Sequence, residues 1–122
     1  MDIRELGPAD DPGALLDLSV RAFGPIARAD QPRWQEFSGA AIAARRYLGA
    51  FDGGRMLAAA QYHDMIQWWH GRPVPMAGVA NVMVAPEERG QGAGRTLTRA
   101  LLALIGDRGY PVSALYPATM AL

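Results

Sequence analysis

Apolar residues recur at helical spacing in three stretches of the chain, and β-rich runs separate them. Ile3 to Leu6 can form a short first strand. Asp10 or Asp11 then offers a helix cap with Pro12 at the first helical position. Leu15, Leu16, Val20 and Phe23 follow as an apolar stripe, and Gly24-Pro25 stops the helix. A second helical stretch is expected from Pro32 to Arg45, with Trp34, Phe37 and Ile42 as its larger apolar residues and Gly39 as an internal weak point.

The pattern then changes period. Tyr47 to Phe51, the turn Asp52-Gly53-Gly54, and Met56 to about Trp69 predict a β-hairpin. Gly71-Arg72-Pro73 turns the chain into a further strand ending near Ala85. Leu97, Leu101, Leu104 and Ile105 fall at i, i+4, i+7 and i+8, one face of a helix that covers a sheet. Gly109 and Pro111 close that helix, and Val112 to Tyr116 make a last strand. A strand, a helix and a strand joined in this way imply a parallel pair with a right-handed crossover. The expected fold class is α/β (α+β), a mixed central sheet with helices on both faces, formed by residues 1–122 as one domain with no linker or repeat.

Chemistry concentrates where the fourth strand runs into the third helix, Val82-Met83-Val84-Ala85-Pro86-Glu87-Glu88-Arg89-Gly90-Gln91-Gly92-Ala93-Gly94-Arg95-Thr96-Leu97. Glycines at 90, 92 and 94 let backbone approach a ligand closely. The helix that follows aims unpaired N–H groups and the positive end of its dipole at the same point. Arg89 and Arg95 place cations at a helix start, where positive charge is disfavoured unless an anion is bound. A Walker A loop is excluded, because Gly94-Arg95-Thr96 lacks the lysine and its first glycine position is Arg89. A dinucleotide fingerprint starting at Gly90 would need glycine at Arg95. What remains is Arg-x-x-Gly-x-Gly at Arg89, Gly92 and Gly94.

That motif, with the Val-x-Val-x-Pro lead-in of Val82, Val84 and Pro86 and the leucine-rich helix behind it, resembles motif A of the GCN5-related N-acetyltransferases (GNAT superfamily). Ala77-Gly78-Val79 through Pro86, and Ala114-Leu115-Tyr116-Pro117-Ala118-Thr119, are similar to the amino-terminal domain of Eis-type acetyltransferases. The resemblance implies a GNAT-like sheet truncated after its fifth strand, binding acetyl-CoA as co-substrate and passing its acetyl group to a primary amine. It implies that backbone groups of Val82 and Val84, with Met83 between them, bind the pantetheine arm and the acetyl carbonyl. The amides of Gly90, Gln91, Gly92, Ala93, Gly94 and Arg95 would hold the phosphates with Arg89 nearby, and the Thr119 hydroxyl would lie by the thioester. The Eis-type general acid, a tyrosine, would fall just after Leu122 and the general base at the end of a longer chain, so no catalytic residue is assigned and the 122 residues alone are expected to be inactive. A non-catalytic CoA-binding or oligomerisation module, and a structural α/β domain with an empty loop, are the alternatives.

The rest of the composition narrows partners. Twelve basic and twelve acidic residues balance, which argues against a broad nucleic-acid surface. Cysteine is absent, removing disulfides, thiolate nucleophiles and zinc-thiolate sites; no metal is expected. No apolar run is long enough for a bilayer and the start lacks a signal-peptide core, so the expected location is cytoplasmic, without membrane contact. His63 and His70 read as surface or hairpin residues, with Asp64 on the opposite strand face from His63. Glu87 and Glu88 read as solvent-facing. Trp34, Trp68 and Trp69 read as packing residues, Trp34 being the best placed to line an acceptor pocket. An open sheet edge and the Trp68-Trp69 hairpin predict a homo-oligomer.

Overall fold

The computed structural model describes residues 1–117, in the order β1 (Asp2–Glu5), α1 (Pro12–Phe23), α2 (Gln31–Ala43), β2 (Tyr47–Asp52), β3 (Arg55–Trp69), β4 (Arg72–Val84), a short 3-10 turn (Pro86–Glu88), α3 (Ala93–Asp107) and β5 (Val112–Ala114). The five strands form one sheet in sequence order. Every neighbouring pair is antiparallel except β4 and β5, which run parallel because α3 carries the chain across one face between them. The expected mixed sheet with helices on both faces is the fold observed. No described helix is long and apolar enough to cross a membrane.

Two cores sit against the two faces. One packs Leu15 and Leu18 of α1 and Ala41 of α2 on Tyr47, Phe51, Ala59 and Met83; the other packs Leu97, Leu101 and Ile105 of α3 on Leu48, Ala58, Ala60, Tyr62 and Val79. Alternation along β3 explains the division, since odd positions such as Ala59 and even positions such as Ala60 project to opposite sides. Alanine dominates the centre of β3, and these small side chains let the helices lie close to the sheet.

Helix α1 turns a different face inward from the one expected. Leu15, Leu18 and Ser19 are buried and Ala22 packs beside them, whereas Phe23 is 57% exposed and Leu16 and Val20 are half-buried. The 15, 18, 19, 22 spacing is the i, i+3, i+4, i+7 stripe. Two of its members are small, so the larger side chains around it misdirect a reading based on size. The cap is Asp11, whose carboxylate accepts the Gly13 N–H at 2.8 Å. Asp10 instead accepts the Gly7 N–H at 2.8 Å and a two-pronged contact from the Arg4 guanidinium at 2.6 and 2.9 Å, bracing the turn between β1 and α1.

The far end of α3 is fastened to the opposite edge of the sheet. The Arg108 guanidinium donates to Glu5 Oε1 of β1 at 2.9 Å, to the Tyr62 hydroxyl of β3 at 2.8 Å, and to the Arg45 carbonyl. This clamp fixes the axis of α3, and with it the direction in which the helix start points.

Candidate functional site

Gly90 and Gly92 take positive φ angles of 79° and 89°, which let the chain reverse twice between the Pro86–Glu88 turn and α3. Thr96 N–H is the first amide of this region to find an acceptor, the Gly92 carbonyl at 3.0 Å. The amides of residues 90–95 ahead of it have no acceptor among the described residues, which leaves six adjacent donors at the positive end of the helix. The hydroxyls of Thr96 and Thr98 fold back on the Gly92 and Gly94 carbonyls, at 3.1 and 2.8 Å. A cavity of about 610 Å³ opens over these amides, lined by Val84 and Glu88 through Arg95. No atom stands within 4 Å of where a Cβ on Gly90 or Gly92 would lie. That side of the turn is therefore bare backbone.

Glu87 and Glu88 do not simply face solvent as expected. Arg21 of α1 grips Glu87 at 2.8 and 3.0 Å and also holds Asp17 at 2.8 Å, while Arg55 at the start of β3 reaches Glu88 at 2.6 Å. The Glu88 side chain is only 15% exposed. The hydrogen bond from Arg21 holds the Glu87 carboxyl below the usual carboxylate range. Two anions beside the glycine turn are thus neutralised from outside it. Arg89 reaches toward the Ala22 carbonyl at 3.5 Å, where a cation also suits the end of α1. Arg95 lines the cavity itself.

Strand β4 supplies the second part of the site. Gln61 pairs with Ala80 and Ala59 with Met83, so two steps on β3 face three on β4, and the extra residue forms a bulge where Asn81 takes a φ of 50°. On its other side β4 meets β5 only from Met76 to Gly78. From Val79 to Val84 the edge that faces β5 has no strand partner among the described residues. Val82 projects outward at 37% exposure. The Met83 side chain is buried in the α1-side core, leaving only its backbone available to a ligand, and Val84 packs between α3 and the glycine turn. Thr119 lies outside the described residues. Phe23, which the sequence reading assigned to the core, instead joins Val82 and Thr98 around a cavity of about 260 Å³ at this splayed edge.

A further cavity, of about 350 Å³, lies on the α2 side of the bulge between Trp34, Phe37, Ser38, Gln61, His63 and Asn81. Beneath it, the buried Gln61 Oε1 and Tyr47 hydroxyl have no partner meeting hydrogen-bond geometry among the described residues. Burial pushes the Tyr47 phenol above its ordinary range, and the neighbouring Asn81 amide offsets this only in part. His63 and Asp64 do lie on opposite faces: Asp64 accepts the Tyr110 hydroxyl at 2.9 Å on the α3 side, and His63 faces Trp34 across the cavity. His63 is therefore more than a hairpin residue. His70 sits in the hairpin turn against Trp69, and Trp68 and Trp69 are about two-thirds exposed at 65% and 64%. A cavity of about 680 Å³ between Arg45, Arg46, Tyr62 and Arg108 is larger than these, but its guanidinium groups are occupied by Glu5, Tyr62 and the Arg45 carbonyl. The glycine turn, unlike the larger hollow, keeps its donors free of partners among the described residues.

Comparison with known proteins adds an independent line. The family described as "Acetyltransferase (GNAT) domain" matches residues 2–122. A GCN5-related N-acetyltransferase from Kribbella flavida is 40% identical with a TM-score of 0.92, over 97% of this chain and 30% of that one. Eis1 from Mycobacterium abscessus is 27% identical with a TM-score of 0.78, over 100% of this chain and 30% of that one. A GNAT acetyltransferase from Brucella melitensis, solved in complex with acetyl-CoA, is 25% identical with a TM-score of 0.75, over 98% and 77% of the two chains. The mycothiol acetyltransferase of Salinispora arenicola is 33% identical over 113 residues, 87% of this chain and 35% of that protein. The chain thus spans about a third of the length of several of these relatives. The splayed fourth strand, the glycine turn with its unpaired amides and the match across residues 2–122 agree, and the chain belongs to the GNAT acetyltransferase domain family.

Proposed function

We propose that this domain binds acetyl-CoA and transfers its acetyl group to a primary amine, in the manner of the Eis-type enzymes its motifs resemble. The observation that carries the reading is the run of unpaired amides at residues 90–95, at the start of α3 and beside the unpaired edge of β4. A pyrophosphate satisfies such donors and the helix dipole together. Arg89 and Arg95 add charge. The B. melitensis relative, solved with acetyl-CoA, supports the same ligand here. Along the free edge of β4, the backbone of Val82 and Val84 takes the pantetheine amides, as one strand takes another. A backbone N–H at the splay donates to the thioester oxygen as it gains negative charge, which lowers the barrier to attack by a neutral amine.

Calorimetric titration with CoA tests this directly. Gly92→Glu places bulk and negative charge in the bare side of the turn and is expected to abolish binding. Arg89→Ala should weaken it by about 1–3 kcal/mol, the range for a lost charge-assisted hydrogen bond. Equal CoA affinity for the parent and Gly92→Glu would remove the basis of the reading.

A further inference from the structure

The α2-side cavity adjoins a separate hollow of about 510 Å³ where β4 and β5 part, between Met65, Met76, Val79 and Leu115, and His63 belongs to the walls of both. Asn81 likewise joins the α2-side cavity to the hollow around Val82. An acceptor group resting against Trp34 and Phe37 therefore lies next to the strand edge where the thioester carbonyl is expected. Two features of the α2-side cavity select the chemistry of that group. Gln61 is 2% exposed and its Oε1 lacks a donor among the described residues, an arrangement that is unfavourable until a ligand or water supplies an N–H or O–H. The aromatic face of Trp34 favours a cation, while the Phe37 ring already carries the Arg33 guanidinium at 5.6 Å. A primary ammonium on a compact aryl or alkyl scaffold meets both demands.

An ammonium cannot attack a thioester until it loses a proton. We propose that His63 is the base that removes it, in place of the chain-terminal group that the Eis resemblance implies, a role that rests on the acetyl-CoA reading above. The imidazole takes one proton from the ammonium, and the neutral amine, held by Gln61 Oε1, attacks the carbonyl carbon. The C–N bond forms and the C–S bond breaks. Of the two protons the nitrogen loses over the cycle, one leaves through His63 to solvent and the other ends on the CoA sulfur. His63 is exposed, which gives the proton a route to water. The titratable residue sharing its walls is Tyr116 from beyond β5. The charged residues of the facing helix nearest the cavity are Arg33, stacked on Phe37, and Glu36, both exposed. Asp64 is on the other face of the sheet, bound to Tyr110.

The test is thiol release from acetyl-CoA with phenethylamine as acceptor, followed across pH for the full chain and for His63→Ala and His63→Gln, with CoA affinity measured in parallel by calorimetry. The expected result is an acid limb in the parent's kcat/KM across the range where a histidine titrates. His63→Ala should lose at least about 100-fold in turnover at neutral pH with CoA affinity unchanged, and regain part of it on adding free imidazole. His63→Gln, which keeps a polar side chain without the base, should be as slow as the alanine variant. A His63→Ala rate and pH profile like the parent's would overturn the role of His63. A parent that binds CoA but shows no amine-dependent thiol release would also overturn it, in favour of the chain-terminal base that the Eis resemblance implies, and in both cases acetyl-CoA binding itself would stand. Failure of the parent to bind CoA would overturn both readings, and parallel titration separates the two results.

Discussion

Gly94 lies so close under Val84 that a Cβ built on it would meet Val84 Cγ2 at 3.1 Å. This contact sets the distance between the start of α3 and the last residue of β4, and so the spacing between the amides of the turn and the strand edge. Gly94→Val must push the helix away from the strand. Overpacking of this kind costs about 1–3 kcal/mol. The expected outcome is a lower melting temperature together with weaker CoA binding, read by thermal denaturation and calorimetry. Unchanged affinity at lowered stability would show that the spacing does not matter to the ligand.

The Arg108 clamp carries a separate expectation. Its side chain is 26% exposed, and its guanidinium ties Glu5, Tyr62 and the Arg45 carbonyl to the end of α3. Arg108→Met keeps the stem and removes the donors, so about 1.5–3 kcal/mol of stability should be lost, the range for hydrogen bonds to charged groups. Chemical denaturation measures this directly. A double-mutant cycle with Glu5→Gln should show strong coupling between the two.

Much of this molecule can be read from its residues in order, and the parts that cannot share a physical cause. The strands, the Asp52-Gly53-Gly54 turn and the α3 stripe of Leu97, Leu101 and Ile105 depend on local periodicity and turn chemistry and appear where the pattern puts them, except that β1 begins and ends one residue earlier and β5 stops at Ala114 instead of Tyr116. The glycine turn is legible for the same reason. The rotation of α1 is not, because Ser19 and Ala22 are buried through the approach of the sheet and not through their own size. The pairing of Glu87 with Arg21 spans 66 positions, and that of Glu88 with Arg55 spans 33. No local pattern encodes either. The α2-side cavity draws Trp34, Gln61, His63 and Asn81 from three elements, and Asn81 reaches it only through a bulge that the register of two strands creates.

A pH dependence follows from Asp10. The hydrogen bonds from Arg4, the largest effect, and from the Gly7 N–H hold its carboxyl below the ordinary aspartate value, against a smaller opposing effect of burial. A group whose folded value is depressed stabilises the fold above its unfolded value and loses that contribution as pH falls through the folded one. The melting temperature of Asp10→Asn should therefore lie below the parent's at pH 7, and the gap should close as pH drops below about 4. A gap that stays constant through that window would mean the carboxylate charge contributes nothing.

The hairpin beyond the sheet leads to the last prediction. Strand β2 pairs with β3 only up to Gln61, and β5 covers β4 only from Met76 to Gly78, so the arms around residues 65–75 continue as a two-stranded ribbon. Ribbons of two strands are marginal in water unless a face is covered. This one carries Ile66 and Trp68 on one face and Met65 and Trp69 on the other, between 44% and 65% exposed. Apolar side chains on both faces, next to an unpaired edge of β3, favour pairing with a second copy of the chain. Sedimentation velocity at micromolar concentration should show an oligomer that Trp68→Ser with Trp69→Ser shifts toward monomer, leaving CoA affinity unaltered because the glycine turn and β4 edge lie elsewhere. A parent that sediments as a monomer across that range would show that the ribbon is stable on its own and that its tryptophans do not bring two chains together.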